Sequence, residues 1–226
     1  MEMPVCKNIT EFTNLQNFLD HGWSGIIRGV ADAKSPARHP TLATVSETNA
    51  PEIRTVVLRK ANQKNSTVQI HTDKTSKKVR DLSTNSNGAL HIWLPKRRQQ
   101  IRLNIIAKIQ TGSDVKDLWD RVPERSRISY GTVPAPGTPI ETPLAYQQPS
   151  NSERFAVLKC QVIKIELLHL GPHHIRARFS ASSDWKGTWL APFNDYKFYI
   201  FSLMKTYFYF SSFYYICLIQ FTKISH

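Results

Sequence analysis

Hydrophobic residues recur with two different periods along the first 192 residues of the chain. Residues 11–19 place Phe12, Leu15, Phe18 and Leu19 at helical spacing, which predicts a short amphipathic helix. Most other apolar runs alternate with polar residues or are rich in β-branched residues, as is typical of strands. This pattern predicts strands at 25–31, 41–46, 51–60, 66–73, 88–95, 99–110 and 174–180, and either a strand pair or one long bent strand at 154–170.

Two further segments have helical patterns. Residues 75–85 begin with Thr75 and Ser76, either of which can cap a helix, and carry Val79 and Leu82 on one face. Residues 114–122 are also predicted to be helical, whereas the proline-rich segment 131–151 predicts an extended loop. Many short strands, hairpin-length gaps and few helices predict a mostly β fold with flanking helices, arranged as an antiparallel barrel.

The pattern changes at residue 193. We predict one domain over residues 1–192, followed by an atypical aromatic and hydrophobic tail over residues 193–226. The uncharged stretch 206–222 is just long enough to span a bilayer, but tyrosines and serines dilute its apolarity. The alternatives are a disordered or aggregation-prone extension, or translated non-coding sequence from a splice or read-through event.

Composition adds a strong positive charge to this picture. The chain has 226 residues and a formal net charge of +13. Such a balance favours an anionic partner, which could be nucleic acid, an acidic membrane or a phosphorylated small molecule, although a solvated basic surface gives the same count. The three cysteines are far apart and show neither a disulfide framework nor zinc-site spacing, so we expect a reducing, cytoplasmic location and no bound metal.

Two cationic stretches are candidates for the anion site. Arg54 and Arg59 bracket a predicted strand at a spacing that places them on opposite faces if the strand is regular. Thr72 ends the next strand, and Ser76, Lys77 and Lys78 lie where a helix begins. A helix N-terminus with hydroxyl and ammonium groups can bind a phosphate. The alternative is a capped helix with solvated lysines.

The order of these pieces changes their interpretation. No Gly-x-Gly-x-x-Gly or P-loop motif is present. The succession "RTVVLR", "HTDKTSKK", "NSNGALHIWLP", "QQIR", "SRI" and "ARF" up to "WLAP" resembles the pyridoxamine 5'-phosphate oxidase family of FMN-binding split barrels over about residues 20–192. The resemblance implies a split β-barrel, bound FMN, and a homodimer with the cofactor at its interface.

The resemblance also implies which residues bind the flavin. Arg54 and Arg59 match the cations that hold the flavin phosphate and line the substrate side, with Arg59 where a lysine is usual. Gln100 and Arg178 match residues close to the isoalloxazine ring, and we expect them to tune it. The full set implied for FMN is Arg54, Thr55, Val56, Val57, Arg59, His71, Thr72, Ser76, Lys77, Lys78, Gln100 and Arg178.

The substrate side matches the family less well. The residues that correspond to its substrate contacts are Arg59, Ser126, His174 and Arg176. At the last two positions the family has arginine and then histidine, so the two residue types are exchanged here. We therefore expect a flavoprotein oxidoreductase of unassigned substrate, which could be a phosphorylated small molecule. The alternatives are a genuine pyridoxamine or pyridoxine 5'-phosphate oxidase, and a basic β-barrel that binds nucleic acid.

Overall fold

The computed structural model describes residue 12 and residues 14–192, which form a mostly antiparallel β-structure with short flanking helices. The helices are α1 (Leu15–Ala31), α2 (Lys77–Thr84), α3 (Lys116–Asp120) and α4 (Glu124–Arg127). The strands are β1 (Thr41–Val45), β2 (Pro51–Thr55), β3 (Leu58–Asn62), β4 (Thr67–Asp73), β5 (Asn87–Leu94), β6 (Gln99–Thr111), β7 (Phe155–Leu170), β8 (His174–Ser180) and β9 (Gly187–Leu190). The predicted antiparallel β fold with flanking helices is confirmed.

The strands form one branched sheet. Its main path runs β2-β1-β5-β6-β7-β4-β3, and β8 pairs with β7 and with β9. The long strand β7 organises this arrangement, because β6 follows one of its edges while β4 and β8 share the other. Among the described residues, β2 and β3 do not pair with each other, so hydrogen bonds between strands do not close the sheet.

The hydrophobic core lies on one side of this sheet, which we call the inner side. Alternate residues of β6, including Ile101, Leu103 and Ile105, are almost fully buried there. Helix α1 covers this side with Phe18 and Trp23, and it packs against β3, β7 and β9. Burying a large apolar side chain contributes about 2 kcal/mol, so this face of α1 is a main stabilising contact of the fold.

The predicted strand at 25–31 is wrong, because these residues continue α1 to Ala31. Three glycines on the packed face allow the helix to approach its neighbours closely. A Cβ atom on Gly29 would lie 2.6 Å from the carbonyl carbon of Ala37. The β-branched residues in this segment favour a strand locally. The close packing of the glycine-lined face against other segments stabilises the helix instead.

The predicted single strand at 51–60 is also wrong. It is divided into β2 and β3 at Val56, whose backbone N–H donates to the carbonyl of Pro40 at 2.9 Å. The alternation survives this break, so Arg54 lies on the inner side with Leu42 while Arg59 follows the buried Leu58 and lies on the outer side.

The tail at 193–226 lies outside the described residues, so its boundary and origin stay predictions. In the part of the chain that the structure describes, no helix combines the length and apolarity needed to cross a membrane.

Candidate functional site

Arg54 is held on the inner side of the sheet by a buried carboxylate. Its Nη1 donates to Thr44 Oγ1 at 2.6 Å, and its Nη2 lies 3.4 Å from Asp81 Oδ2. Thr44 donates to the same Asp81 oxygen at 2.6 Å. The Asp81 side chain is 4% exposed and that of Arg54 is 20% exposed, so the guanidinium is fixed yet still reachable from one side.

Next to Arg54, two hydroxyls and a lysine surround the start of α2. Lys78 Nζ donates to Thr72 Oγ1 at 3.1 Å, and Thr72 Oγ1 lies 3.3 Å from Ser76 Oγ. Ser76 occupies the N-cap position, but its hydroxyl donates to the carbonyl of Asp73 at 2.7 Å instead of capping the helix. We call the residues around the start of α2, together with Arg54 and its two partners, the inner cluster. Its members are Thr44, Arg54, Thr72, Ser76, Lys78 and Asp81.

The inner cluster holds positive charge that is not fully compensated. Burial lowers the pKa of Lys78, and the nearby charge of Arg54 lowers it further, while Asp73 and Asp81 act in the opposite direction. An anion bound between the two cations would relieve this repulsion, and a phosphate could also accept hydrogen bonds from the hydroxyls and from the first N–H groups of α2.

Lys77 does not belong to this cluster. Its side chain is 51% exposed and pairs with Glu52 on β2. The structure therefore separates the two adjacent lysines, because Lys78 faces the hydroxyls while Lys77 lies at the rim.

The side chain of Asp73, the last residue of β4, holds the turn between β4 and α2 in place through hydrogen bonds. Its carboxylate is buried and accepts from the backbone of Thr75 at 2.8 Å, from Gly131 at 3.0 Å and from Arg154 Nε at 3.1 Å. Burial alone would raise the pKa of Asp73, but the hydrogen bonds from Thr75 and Arg154 hold it below the ordinary value. The loop after α4 thereby buttresses the inner cluster.

A second group lies on the outer side of β3 and β4. Burial lowers the pKa of His71 to about 4, with a further contribution from the charge of Arg59. Burial raises the pKa of Tyr130, against an opposite effect of the nearby positive charge of Arg59. His71 and Tyr130 both pack their rings against Phe155, at 5.0 Å and 4.9 Å between centroids. Arg59 Nε is buried and has no hydrogen-bond partner among the described residues.

Four of the other predicted residues, Gln100, His174, Arg176 and Arg178, lie on the outer side of β6 and β8, and Ser126 lies in α4. Arg176 shares the carboxylate of Glu166 with Arg102, at 2.7 Å and 2.9 Å. His174 lies two residues before Arg176, and no described residue hydrogen-bonds to its buried Nδ1. Gln100 lies opposite Leu168 in the β6–β7 ladder, and Arg178 is exposed.

The structure thus brings together some of the predicted site residues and separates others. Arg54, Thr72, Ser76 and Lys78 meet in the inner cluster, whereas Arg178 lies on the opposite side of the sheet. Thr55 ends β2 next to Arg54, and Val56 and Val57 connect β2 to β3. Ser126 lies in α4 and reaches neither group through a hydrogen bond that the described residues form.

Sequence reasoning missed several residues that shape these groups. Asp81 and Thr44 fix Arg54, Asp73 and Arg154 fix the turn, and the ring of Tyr130 packs against Phe155 beside His71. These contacts join residues that are far apart in the chain, and no local pattern marks them.

Comparison with known proteins connects this geometry to a family. Residues 20–111 match the model of the pyridoxamine 5'-phosphate oxidase, FMN-binding domain. A pyridoxine/pyridoxamine 5'-phosphate oxidase 2 from Arabidopsis thaliana is 26% identical over 165 residues, which cover 66% of this chain and 83% of the relative.

Two solved structures have the same fold. A pyridoxamine 5'-phosphate oxidase-related, FMN binding protein from Nostoc punctiforme has a TM-score of 0.63 and 19% identity, over 84% of this chain and 100% of that one. PhzG from Burkholderia lata, in complex with tetrahydrophenazine-1-carboxylic acid, has a TM-score of 0.57 and 18% identity, over 85% and 98% of the two chains. Residues 20–111 thus match the model of a pyridoxamine 5'-phosphate oxidase FMN-binding domain, and the described part of the chain has the fold of these two solved structures.

Proposed function

We propose that this chain is a flavoprotein that binds FMN through the inner cluster and acts as an FMN-dependent oxidoreductase. The observation that carries the proposal is the ammonium of Lys78 at 3.1 Å from the buried Thr72 hydroxyl, next to Ser76 and close enough to Arg54 for the guanidinium charge to lower the pKa of Lys78. Burying a dianionic phosphate is costly unless cations and donors surround it, and the inner cluster offers both.

The residues present fit this cofactor. Lys78, Thr72, Ser76 and Arg54 would hold its phosphate, and bound FMN would supply hydride chemistry. Asp81 holds Arg54 in place, so that little conformational entropy has to be lost when the phosphate binds. We propose that Gln100 and Arg178 approach the ring, where a donor or cation favours the reduced flavin.

A second copy of the chain would complete the flavin site. Arg178 lies on the outer side of β8, while Thr72 lies on the inner side of β4. Their partners on β7 are Glu166 and Ala156, ten positions apart, which is about 33 Å of strand. One flavin does not reach both groups in a single chain. This separation supports a homodimer in which Arg178 of one copy approaches the flavin held by the inner cluster of the other.

The substrate is a separate question, and oxidation of pyridoxamine 5'-phosphate is the second candidate function. The Arabidopsis relative favours it. Against it, Arg176 is engaged by Glu166, which leaves less of its guanidinium for a substrate. The reaction would consume the phosphorylated amine, O2 and water, and give the aldehyde, ammonia and hydrogen peroxide.

The proposal is tested by comparing FMN with riboflavin, which lacks the phosphate. Equilibrium titration of each flavin by fluorescence quenching should give much tighter binding of FMN. Equal affinity for the two flavins would refute the assignment of the inner cluster. Incubation of the flavin-loaded protein with pyridoxamine 5'-phosphate, with aldehyde and peroxide both measured, then decides between the oxidase and another substrate.

A further inference from the structure

A cavity of about 450 Å3 lies at the end of α1, at the connection between β5 and β6. Its apolar lining includes Gly25 of α1, Pro36 of the following turn, and Leu94 and Pro95 at the end of β5. This volume is in the range of pockets that bind small molecules.

The polar groups around this cavity are mostly cationic. The four cations come from three separate segments of the chain: Arg28 from α1, Lys34 from the turn after it, and Lys96 and Arg97 from the connection between β5 and β6. The single carboxylate in the lining is Asp32, which lies 3.3 Å from Arg28 Nε and accepts from the backbone of Lys34 at 2.9 Å. Within the described part of the chain, Lys34, Lys96 and Arg97 form no ion pair with a carboxylate.

Arg97 is held in place although its charge is poorly compensated. Its Nη1 donates to the carbonyl of His21 and to Ser24 Oγ, both at 3.1 Å. Burial lowers the pKa of Arg97, and the charge of Arg28 lowers it further. Gly25 of α1 lies close to both Leu94 and Arg97, since a Cβ there would be 2.7 Å from Leu94 Cδ1 and 3.3 Å from Arg97 Nη1.

The cavity is separate from the inner cluster. Thr44 of that cluster follows Ala43, which pairs with Ala89 near the start of β5, whereas Leu94 ends the same strand. The two places are about 17–20 Å apart along β5. One bound flavin phosphate therefore leaves the charge around this cavity uncompensated.

We propose that this cavity binds a small organic anion, with a phosphate or carboxylate group among Lys34, Lys96 and Arg97 and an apolar body against Leu94 and Pro95. A basic surface that serves solubility alone needs no concave apolar floor. It also does not need an arginine that is fixed by hydrogen bonds to another element, as Arg97 is to α1. The negative end of the α1 dipole and Asp32 oppose an anion, but four cations outweigh them. The proposal does not depend on the flavin assignment.

The test uses phenyl phosphate as the probe and isothermal titration calorimetry of the full chain loaded with FMN, after the unbound FMN has been removed. A variant with Lys34→Gln and Lys96→Gln removes two exposed cations of the cavity. The matched control, Lys64→Gln with Lys159→Gln, removes the same charge from exposed positions elsewhere. Lys78→Met reports on binding of the probe to the inner cluster.

We expect the wild type, the control and Lys78→Met to bind phenyl phosphate alike, and the cavity variant to bind it at least about tenfold more weakly. We also expect weaker binding of inorganic phosphate, which has no apolar body. Unchanged binding in the cavity variant, loss in Lys78→Met, equal affinity for inorganic phosphate, or no binding at millimolar probe would each overturn the proposal.

Discussion

Replacing Lys78 by methionine separates the contribution of its charge from that of its length. In the structure the ammonium donates to Thr72 Oγ1 at 3.1 Å and is half-buried beside Arg54. A hydrogen bond to a charged group contributes about 1.5–3 kcal/mol, so the dissociation constant of FMN should rise about 10- to 100-fold. In the free protein the variant loses the hydrogen bond to Thr72 but also the repulsion between the ammonium and Arg54. Because these two effects oppose each other, the unliganded variant should unfold at about the same urea concentration as the wild type.

Lys77→Met is the matched control for this experiment. Lys77 is the adjacent lysine on the same helix, but it is exposed and paired with Glu52, and such pairs contribute about 0–1 kcal/mol. Its removal should change FMN affinity by a few-fold at most. Riboflavin should bind equally to both variants, because it makes no use of the phosphate site.

The pH dependence provides a further check on Lys78. Since the pKa of Lys78 is lowered in the free protein and a bound phosphate would raise it, FMN affinity should weaken as the pH rises through the lowered pKa. This loss should disappear in Lys78→Met. Wild-type FMN affinity in Lys78→Met, or a larger loss in Lys77→Met, would refute the assignment of the inner cluster.

Three further predictions concern stability. Arg154→Met leaves the buried carboxylate of Asp73 without its ion pair and should cost about 3 kcal/mol in urea unfolding; a loss below about 1 kcal/mol would contradict this. Burial lowers the pKa of His71 from 6.5 to about 4, so the stability from this site should fall as the pH drops from 6.5 to 4, and unfolding curves of His71→Gln should lack that component. Gly29→Ala places a methyl group 2.7 Å from the backbone oxygen of Ala37 and should cost about 1–3 kcal/mol; an unchanged melting temperature would exclude the close contact.

The sequence was informative about strands whose apolar residues alternate. The segments 66–73, 99–110 and 154–170 each contain a strand within about two residues of its predicted bounds. It failed at 25–31, where β-branched residues lie on a helix whose glycines pack closely against another segment. Local propensity could not reveal that neighbour, because the contact forms only in the folded chain.

For the candidate site, sequence identified the cations but not what fixes them. Arg54 and Lys78 stand in motifs, so the order of motifs along the chain was enough to single them out. Asp81 looks like an ordinary charged residue of a short helix, yet it is buried against Arg54, 27 positions away. Arg154 is 81 positions from Asp73. Such pairs form only when the fold brings distant segments together, so the spacing of residues along the chain does not predict them.

The most direct test of the central claim is the visible absorption spectrum of the purified full-length protein, with mass spectrometry of whatever ligand it releases on denaturation. We expect a yellow protein that releases FMN, or a colourless one that becomes yellow and retains the flavin when FMN is added. A protein that stays colourless after incubation with FMN and removal of the excess would contradict FMN binding by this chain.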